Sequence, residues 1–195
     1  SGFGKGWDII KTEYLSTMRS FFNNKEKLDE EFENLIKESQ NELYRIAKIK
    51  LDNDEDIADV IQSTILLAYK NYNKLKEKKY FNTWIVRILL NQCNKFYIKK
   101  AKDSNILNNI NEPTENIYND SFIHNVNSSI DFKLLLQNLS ETEQIIISLY
   151  YSENFSCNDI ADILDMNINT VRSHIKRAKD KIKKIYEKGG IYNGK

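Results

Sequence analysis

With 195 residues, of which one is proline and six are glycine, the chain is long enough for one or two compact domains and favours helices. Its 29 basic and 28 acidic residues nearly balance, so net charge gives no indication for or against a nucleic-acid partner. Because no run of eighteen apolar residues occurs and the first residues lack the order of a secretory signal, we expect no membrane span and a cytoplasmic protein.

Helical spacing of apolar residues predicts four amphipathic helices in the first hundred residues. The first, over residues 7–22, has a weak pattern. The next three span residues 28–51, 54–73 and 80–100. Each carries one apolar stripe, so we expect them to pack together into a helical domain.

Helical patterning stops at about residue 101 and resumes at Asp131. The intervening segment is rich in Asn and Ser, contains the only proline and has an excess of acidic side chains, which predicts a flexible linker. The sequence therefore predicts an all-α protein with two helical domains joined by that linker. Its parts are an N-terminal extension at 1–24, a first domain at 25–101, the linker at 102–130, a second domain at 131–188 and a tail at 189–195.

The second domain is predicted to contain a helix-turn-helix. Ser140 and Glu143 form a capping box, which opens a helix expected to run through Tyr151. Ser156 and Asp159 form a similar box, which opens a helix ending near residue 164. A short turn then leads into the last helix.

The last helix begins after Asn167, a suitable N-cap, and has two contrasting faces. Its apolar stripe consists of Ile168, Val171, Ile175, Ala178, Ile182 and Ile185. The opposite face carries Arg172, Ser173, Lys176 and Arg177. Such a helix suits the major groove of DNA, although an amphipathic helix with a solvated basic face has the same pattern.

Cysteine and histidine positions do not indicate catalysis or metal binding. Cys93 and Cys157 are far apart and are predicted to be small buried thiols within helices, which fits a reducing compartment. His124 and His174 have no partner signature, and neither a P-loop nor a zinc-protease motif occurs. We therefore expect no enzyme activity and no cofactor.

Three segments resemble bacterial sigma-70-family RNA polymerase sigma factors of the extracytoplasmic-function (ECF) type. Residues 54–72 (DEDIADVIQSTILLAYKNY) and 81–100 (FNTWIVRILLNQCNKFYIKK) resemble region 2 through their D-V-I-Q core and F-x-x-W start. Residues 139–183 resemble region 4 through I-A-x-I-L and T-V-R-S. The chain departs from the family pattern at Ser63, where an acid is common, at Asp165, where glycine is usual, and at His174, where arginine is common.

The resemblance implies an alternative sigma factor that binds core RNA polymerase, recognises minus-35 and minus-10 promoter elements and directs transcription initiation under the control of an anti-sigma factor. The implied interface with the β′ clamp helices of core polymerase is Asp56, Asp59, Gln62, Ser63 and Leu66. The implied minus-10 contacts are Trp84, Arg87, Asn91, Asn94 and Lys95. The implied minus-35 contacts are Arg172, Ser173, Lys176, Arg177 and Lys179, and the β flap of polymerase is a further implied partner.

Simpler interpretations stay open at this point. The acidic face of residues 54–72 could be merely solvated, and Trp84 could only cap the core. The whole chain could also be a stand-alone helix-turn-helix regulator that does not enter polymerase. That alternative leaves the Asp56–Gln62 face and the Trp84 helix without an explanation.

Overall fold

The computed structural model of the chain describes residues 28–103, 136 and 138–188. Within these ranges all regular structure is helical, and the chain divides into two compact units near residue 123. The predicted all-α architecture with two helical domains is confirmed. The predicted helix at 7–22 lies outside the described residues, and the exact domain boundaries and the flexibility of the linker stay predictions.

The first unit contains three long helices: α1 over Leu28–Lys50, α2 over Asp54–Asn71 and α3 over Phe81–Asp103. Two short 3-10 turns, at Tyr72–Lys74 and Lys78–Tyr80, connect α2 to α3. All three predicted helices are confirmed, with ends displaced by at most three residues.

The apolar stripes of these helices meet in one core. Its fully buried members include Phe32, Ile36, Leu43, Ile46, Ile57, Phe81, Ile85, Leu89 and Cys93. The ring of Phe32 contacts Tyr72 and Phe81 edge-on, with ring centroids 5.1 and 5.9 Å apart. Because Tyr72 belongs to the first 3-10 turn, these contacts fix how the chain enters α3.

The second unit contains α4 over Glu141–Ile147, α5 over Cys157–Leu164 and α6 over Ile168–Lys188. Both predicted capping boxes are present, one before α4 and one before α5. In each box a serine hydroxyl accepts a backbone N–H bond, and an acidic side chain three residues later accepts one in return. Local sequence thus determines where these two helices begin.

The helix predicted to run through Tyr151 changes its winding before that point. α4 ends at Ile147, and residues Ser148–Ser152 form a π-helical turn, closed by the Glu153 N–H bonded to the Ser148 carbonyl at 3.1 Å. Asn154 then takes a left-handed φ of 58°, which turns the chain towards α5. The prediction of one continuous helix is wrong for this turn, because a pattern read at 3.6 residues per turn does not register wider winding.

The turn of the predicted helix-turn-helix depends on Asp165. This residue ends α5 with φ 55° and ψ 46°, and its N–H bonds to the Ala161 carbonyl. Asp adopts this left-handed conformation more readily than most residues do, so it can replace a glycine here. Asn167 then caps α6 by accepting a hydrogen bond from the Asn169 N–H at 2.8 Å, as predicted.

The two cysteines differ in burial. Cys93 is fully buried in the core of the first unit, whereas Cys157 in the first turn of α5 is only half-buried. The prediction of two buried thiols is therefore wrong for Cys157, since the first turn of a helix has solvent on its open end. None of the described helices has the length and apolar character that a membrane crossing requires.

Candidate nucleic-acid and protein interfaces

The outward face of α6 carries a cluster of exposed basic side chains. Val171, Ile175 and Ala178 are buried beneath it. Its exposed side chains include the predicted Arg172, Ser173, Lys176, Arg177 and Lys179. Because α5 and the core hold the other side of the helix, this face is presented to solvent as a fixed surface.

Ser173 has a constrained hydrogen-bonding role on this face. Its hydroxyl donates to the Asn169 carbonyl one turn earlier, at 2.7 Å. A hydroxyl has only one proton to donate, so in this arrangement Ser173 offers acceptor lone pairs to a ligand. That suits an amino group on a base edge, whereas a phosphate oxygen needs a donor.

Lys179 is held at one side of the α6 face by Tyr151 from the π-helical turn. Its Nζ atom lies 5.4 Å from the centre of the exposed Tyr151 ring. A hydrogen bond with the Tyr151 hydroxyl raises the pKa of Lys179, so this side chain stays charged. Lys179 was predicted from the sequence, but its partner depends on the winding of residues Ser148–Ser152.

The other side of the face is held by Glu143 of α4. The Glu143 carboxylate is almost completely buried and accepts hydrogen bonds from Lys181 Nζ at 2.7 and 3.0 Å. Burial alone would raise the pKa of Glu143, but the bonds from Lys181 and Ser140 outweigh it, so its pKa lies below the ordinary value. This ionised carboxylate ties α6 to the start of α4.

His174 lies beside this ion pair and contacts the basic face. Its Nδ1 atom is 3.3 Å from Nη2 of Arg177. Burial lowers the pKa of His174, and the nearby charges of Arg177 and Lys181 lower it further, while Glu143 acts in the opposite direction. The imidazole is therefore neutral at physiological pH.

Two exposed residues at the start of α6 were missed by the sequence reasoning. Asn169 and Thr170 lie in the first turn of the helix and are exposed like Arg172 and Ser173. The N-terminal residues of a recognition helix commonly contact base edges, and an asparagine amide can pair with adenine. Their position next to the N-cap could have identified them.

The predicted minus-10 residues lie along one side of α3. Arg87, Asn91, Asn94 and Lys95 are exposed, and Trp84 is half-buried. The Trp84 ring packs against Phe81 with centroids 6.0 Å apart, so it covers part of the core and also reaches solvent. The side-chain oxygen of Asn94 accepts a hydrogen bond from Lys50 of α1 at 2.9 Å.

Two exposed apolar side chains flank these residues: Ile98, which the sequence reasoning did not single out, and Tyr80, which lies in the loop at about Lys74–Asn82 that the family resemblance implies in minus-10 capture. Tyr80 is 48% exposed at the end of the second 3-10 turn, and Ile98 is 56% exposed near the end of α3. Ile98 follows Asn91 by seven residues on α3, which places the two side chains on a similar side of the helix, whereas Tyr80 directly precedes the first residue of α3. Together with Trp84 they give this polar surface three apolar groups on which bases could stack or pack.

The predicted polymerase-facing residues of α2 divide into two groups. Asp59, Gln62 and Ser63 are exposed together with Leu66, whose side chain is 38% exposed. Asp56 instead is half-buried, and its carboxylate accepts a hydrogen bond from Lys100 of α3 at 2.8 Å. Asp56 therefore lies at the edge of this face, within reach of α3, and its place in a polymerase interface stays a prediction.

No cluster of three or more metal-binding side chains occurs among residues 28–103 and 138–188. The surfaces described above consist instead of charged, amide and aromatic groups on helix faces. Such groups bind partners through hydrogen bonds, charge and apolar contact.

Comparisons with known proteins agree with the division of the chain into two helical units. Residues 35–103 match the family model for sigma-70 region 2, and residues 129–182 match that for sigma-70 region 4. An ECF RNA polymerase sigma-E factor of Haemophilus influenzae is 28% identical over 137 residues, covering 65% of this chain and 72% of that protein. RNA polymerase sigma factor SigV of Bacillus subtilis is 23% identical over 147 residues, covering 73% of this chain and 83% of that protein.

Solved structures share the fold. The sigma factor RpoE in complex with the anti-sigma factor NepR from Bartonella quintana superposes with a TM-score of 0.62 at 20% identity, covering 80% of this chain and 97% of that one. CnrH in complex with the cytosolic domain of CnrY superposes with a TM-score of 0.56 at 18% identity, covering 80% of this chain and 87% of that one.

Proposed function

The chain belongs to the sigma-70 family, with its region 2 and region 4, and is of the ECF type. From this premise we propose that it is an alternative sigma factor, which binds core RNA polymerase, recognises the minus-35 and minus-10 elements of a promoter and directs transcription initiation. The role is regulatory: it recruits and positions the polymerase, which performs the chemistry. The protein would act in the cytoplasm, with no cofactor.

The observation that carries this proposal is the exposed basic face of α6 on a rigid helix-turn-helix. Arg172 and Arg177 can each donate two hydrogen bonds to a guanine edge, and Lys176 can bond a base or a phosphate. The apolar stripe beneath holds the helix in one orientation, so these donors approach a duplex together. We assign the minus-35 element to this face.

The α2 face supports binding to core polymerase. An exposed leucine surrounded by polar and acidic groups combines an apolar anchor with charges that orient a partner. Leu66, Asp59, Gln62 and Ser63 form such a surface. We assign it to the coiled-coil clamp helices of β′, and we assign the β flap to the region 4 unit, as in the family.

The α3 surface supports capture of the opened minus-10 strand. A base that leaves the duplex loses stacking of about 1–3 kcal/mol, which an aromatic side chain can restore. Trp84 is half-buried and keeps some exposed surface for such stacking, and the exposed Arg87, Asn91 and Lys95 lie on the same side of α3 for the bases and phosphates. Exposed basic and amide side chains beside a partly exposed tryptophan do not contribute to the helical core, so they are available to bind single-stranded DNA.

We further propose control by an anti-sigma factor. One structure that shares this fold is a complex of a sigma factor with an anti-sigma factor. The same exposed faces of α2 and α6 that would bind polymerase and DNA are available to such a protein.

Reconstitution with bacterial core polymerase tests the proposal. Run-off transcription on genomic fragments should give discrete products that core enzyme alone does not give. Asp59→Ala should weaken association with core enzyme, whereas Arg172→Ala should leave association intact and abolish promoter selection. Arg172→Lys is the matched control, since it keeps the charge and loses the bidentate fork, so selection at one base pair should fall by about 5-fold to 150-fold.

Three outcomes would contradict this assignment. If all variants lose core binding equally, the division of labour between the two units is wrong. If Arg172→Lys selects promoters as well as the natural chain does, Arg172 contacts only the backbone. If the chain never associates with core enzyme but binds duplex tightly by itself, it is a stand-alone regulator.

A further inference from the structure

His174 contacts Arg177 in a way that defines its protonation state. The two side chains lie one turn apart on α6, with 3.3 Å between His174 Nδ1 and Arg177 Nη2. A guanidinium has five N–H donors and no acceptor. Nδ1 must therefore be the acceptor, so the imidazole is neutral and carries its proton on Nε2.

Protonation of His174 would break this contact. A doubly protonated imidazole has N–H groups at both nitrogens and cannot accept a hydrogen bond. It would then place two like charges one helical turn apart, which repel each other. The charged groups that act on the imidazole are Glu143 from α4 and Arg177 and Lys181 from α6.

The contact matters because Arg177 is otherwise exposed on the basic face. A long exposed side chain has many rotamers, and bidentate bonding to a base requires one of them. The imidazole is half-buried on α6, so it has less freedom than an exposed side chain and offers a restricted acceptor. Such an acceptor restricts where the guanidinium can lie before DNA arrives.

We propose that His174 is a positioning residue for DNA recognition, whose neutral imidazole accepts a hydrogen bond from Arg177 and orients that guanidinium for a base in the minus-35 element. This inference rests on the proposed function, because it assigns a base contact to Arg177. It makes promoter discrimination sensitive to acid: protonation releases Arg177 and adds a cation that attracts phosphates of any sequence. Acid should therefore strengthen non-specific binding while it weakens discrimination.

The contact can be tested without any partner. The full chain has two histidines, so a His124→Gln variant assigns the imidazole signals of His174 in a long-range proton–nitrogen NMR spectrum. We expect the Nε2-protonated tautomer at neutral pH and a pKa below the ordinary histidine value of 6.5. A proton on Nδ1 at neutral pH would overturn the inference directly.

The functional test compares His174→Asn with His174→Ala. The side-chain oxygen of asparagine can occupy the place of Nδ1 and accept from Arg177, but it does not titrate. Holoenzyme binding is measured in competition between a promoter and the same promoter with a substituted minus-35 element, at about pH 8 and at about one pH unit below the His174 pKa that the NMR titration gives. The readout is the ratio of the two affinities.

We expect the natural chain to lose about threefold to tenfold in this ratio on acidification, the size of one ordinary hydrogen bond. His174→Asn should keep its ratio at both pH values, and His174→Ala should have the lower ratio at both. If His174→Ala discriminates as well as the natural chain, or if His174→Asn loses discrimination in acid, the inference is overturned. Failure of the holoenzyme to distinguish the two promoters at any pH would instead refute the proposed function, and the positioning role with it.

Discussion

Glu143→Gln is expected to loosen the second unit because it removes the charge that ties α6 to α4. The Glu143 side chain is only 5% exposed and lies 2.7 Å from Lys181 Nζ, whose side chain is 46% exposed. The same carboxylate accepts the Ser140 N–H at 2.9 Å, which completes the capping box. One substitution therefore weakens both a helix cap and a contact between helices.

The expected loss of stability depends on which hydrogen bonds remain after Glu143→Gln. Hydrogen bonds to a charged group contribute about 1.5–3 kcal/mol. Lys181 is half-exposed and recovers hydration when it is released, so its contribution is at the low end. The glutamine oxygen can still accept one of the two bonds. We estimate a loss of about 1–2 kcal/mol in stability, which corresponds to a roughly fivefold to thirtyfold larger population of the opened unit.

Hydrogen exchange of the full chain, followed by peptide mass spectrometry, measures this opening. Peptides from α4 and α6 should exchange faster in Glu143→Gln, and peptides from α1–α3 serve as an internal reference. Glu141→Gln is the matched control, because it removes an acidic charge from the same first turn of α4 at an exposed position. Its contribution through the helix dipole is about 0.3–1 kcal/mol.

The pH dependence of stability gives an independent check that the ionised Glu143 carboxylate stabilises the second unit. The folded-state pKa of Glu143 is depressed, so its stabilising contribution is present above the unfolded value of 4.5 and is lost as pH falls through the folded pKa. The difference between the natural chain and Glu143→Gln should therefore shrink in acid. Equal exchange in Glu143→Gln and Glu141→Gln at neutral pH would refute the reasoning.

Two further substitutions test the first unit and the turn. Leu66→Ala should change stability by less than about 0.5 kcal/mol and weaken core-polymerase binding, whereas the buried neighbour Ile65→Ala should cost about 2–5 kcal/mol in urea unfolding. Equal destabilisation by both would show that Leu66 is a packing residue. Asp165→Ala should be less stable than Asp165→Gly by about 1 kcal/mol, because glycine takes a φ of 55° without steric cost and alanine does not. Hydrogen exchange of α5 measures this difference. Similar stabilities would mean that the turn relaxes to another conformation.

Local sequence was sufficient to predict where α4 and α5 begin and which face of α6 is basic. A capping box needs two side chains three residues apart, and the Ser140–Glu143 and Ser156–Asp159 boxes are both present. The basic face of α6 follows from 3.6-residue periodicity, which fixes which side chains are opposite Val171. The family and its two regions follow from motifs of the same local kind.

The contacts that the sequence did not reveal have a different origin. Asp56 pairs with Lys100, forty-four residues away in the chain, so its position on α2 alone could not reveal that it faces α3. The winding of residues Ser148–Ser152 places Tyr151 beside Lys179, and neither the π turn nor this pairing has a periodic signature. Such contacts depend on how helices lie against each other.

The sequence by itself determined the helices, their caps, the faces that are apolar or basic, and the family, because each of these depends on residues within about one or two turns of one another. Tertiary structure decided which charged groups are already engaged. Glu143 serves α6 as well as its own helix, and His174 is neutral because burial and the cations around it lower its pKa. A side chain's chemistry depends on its solvent and neighbours, and these are supplied by segments distant in the chain.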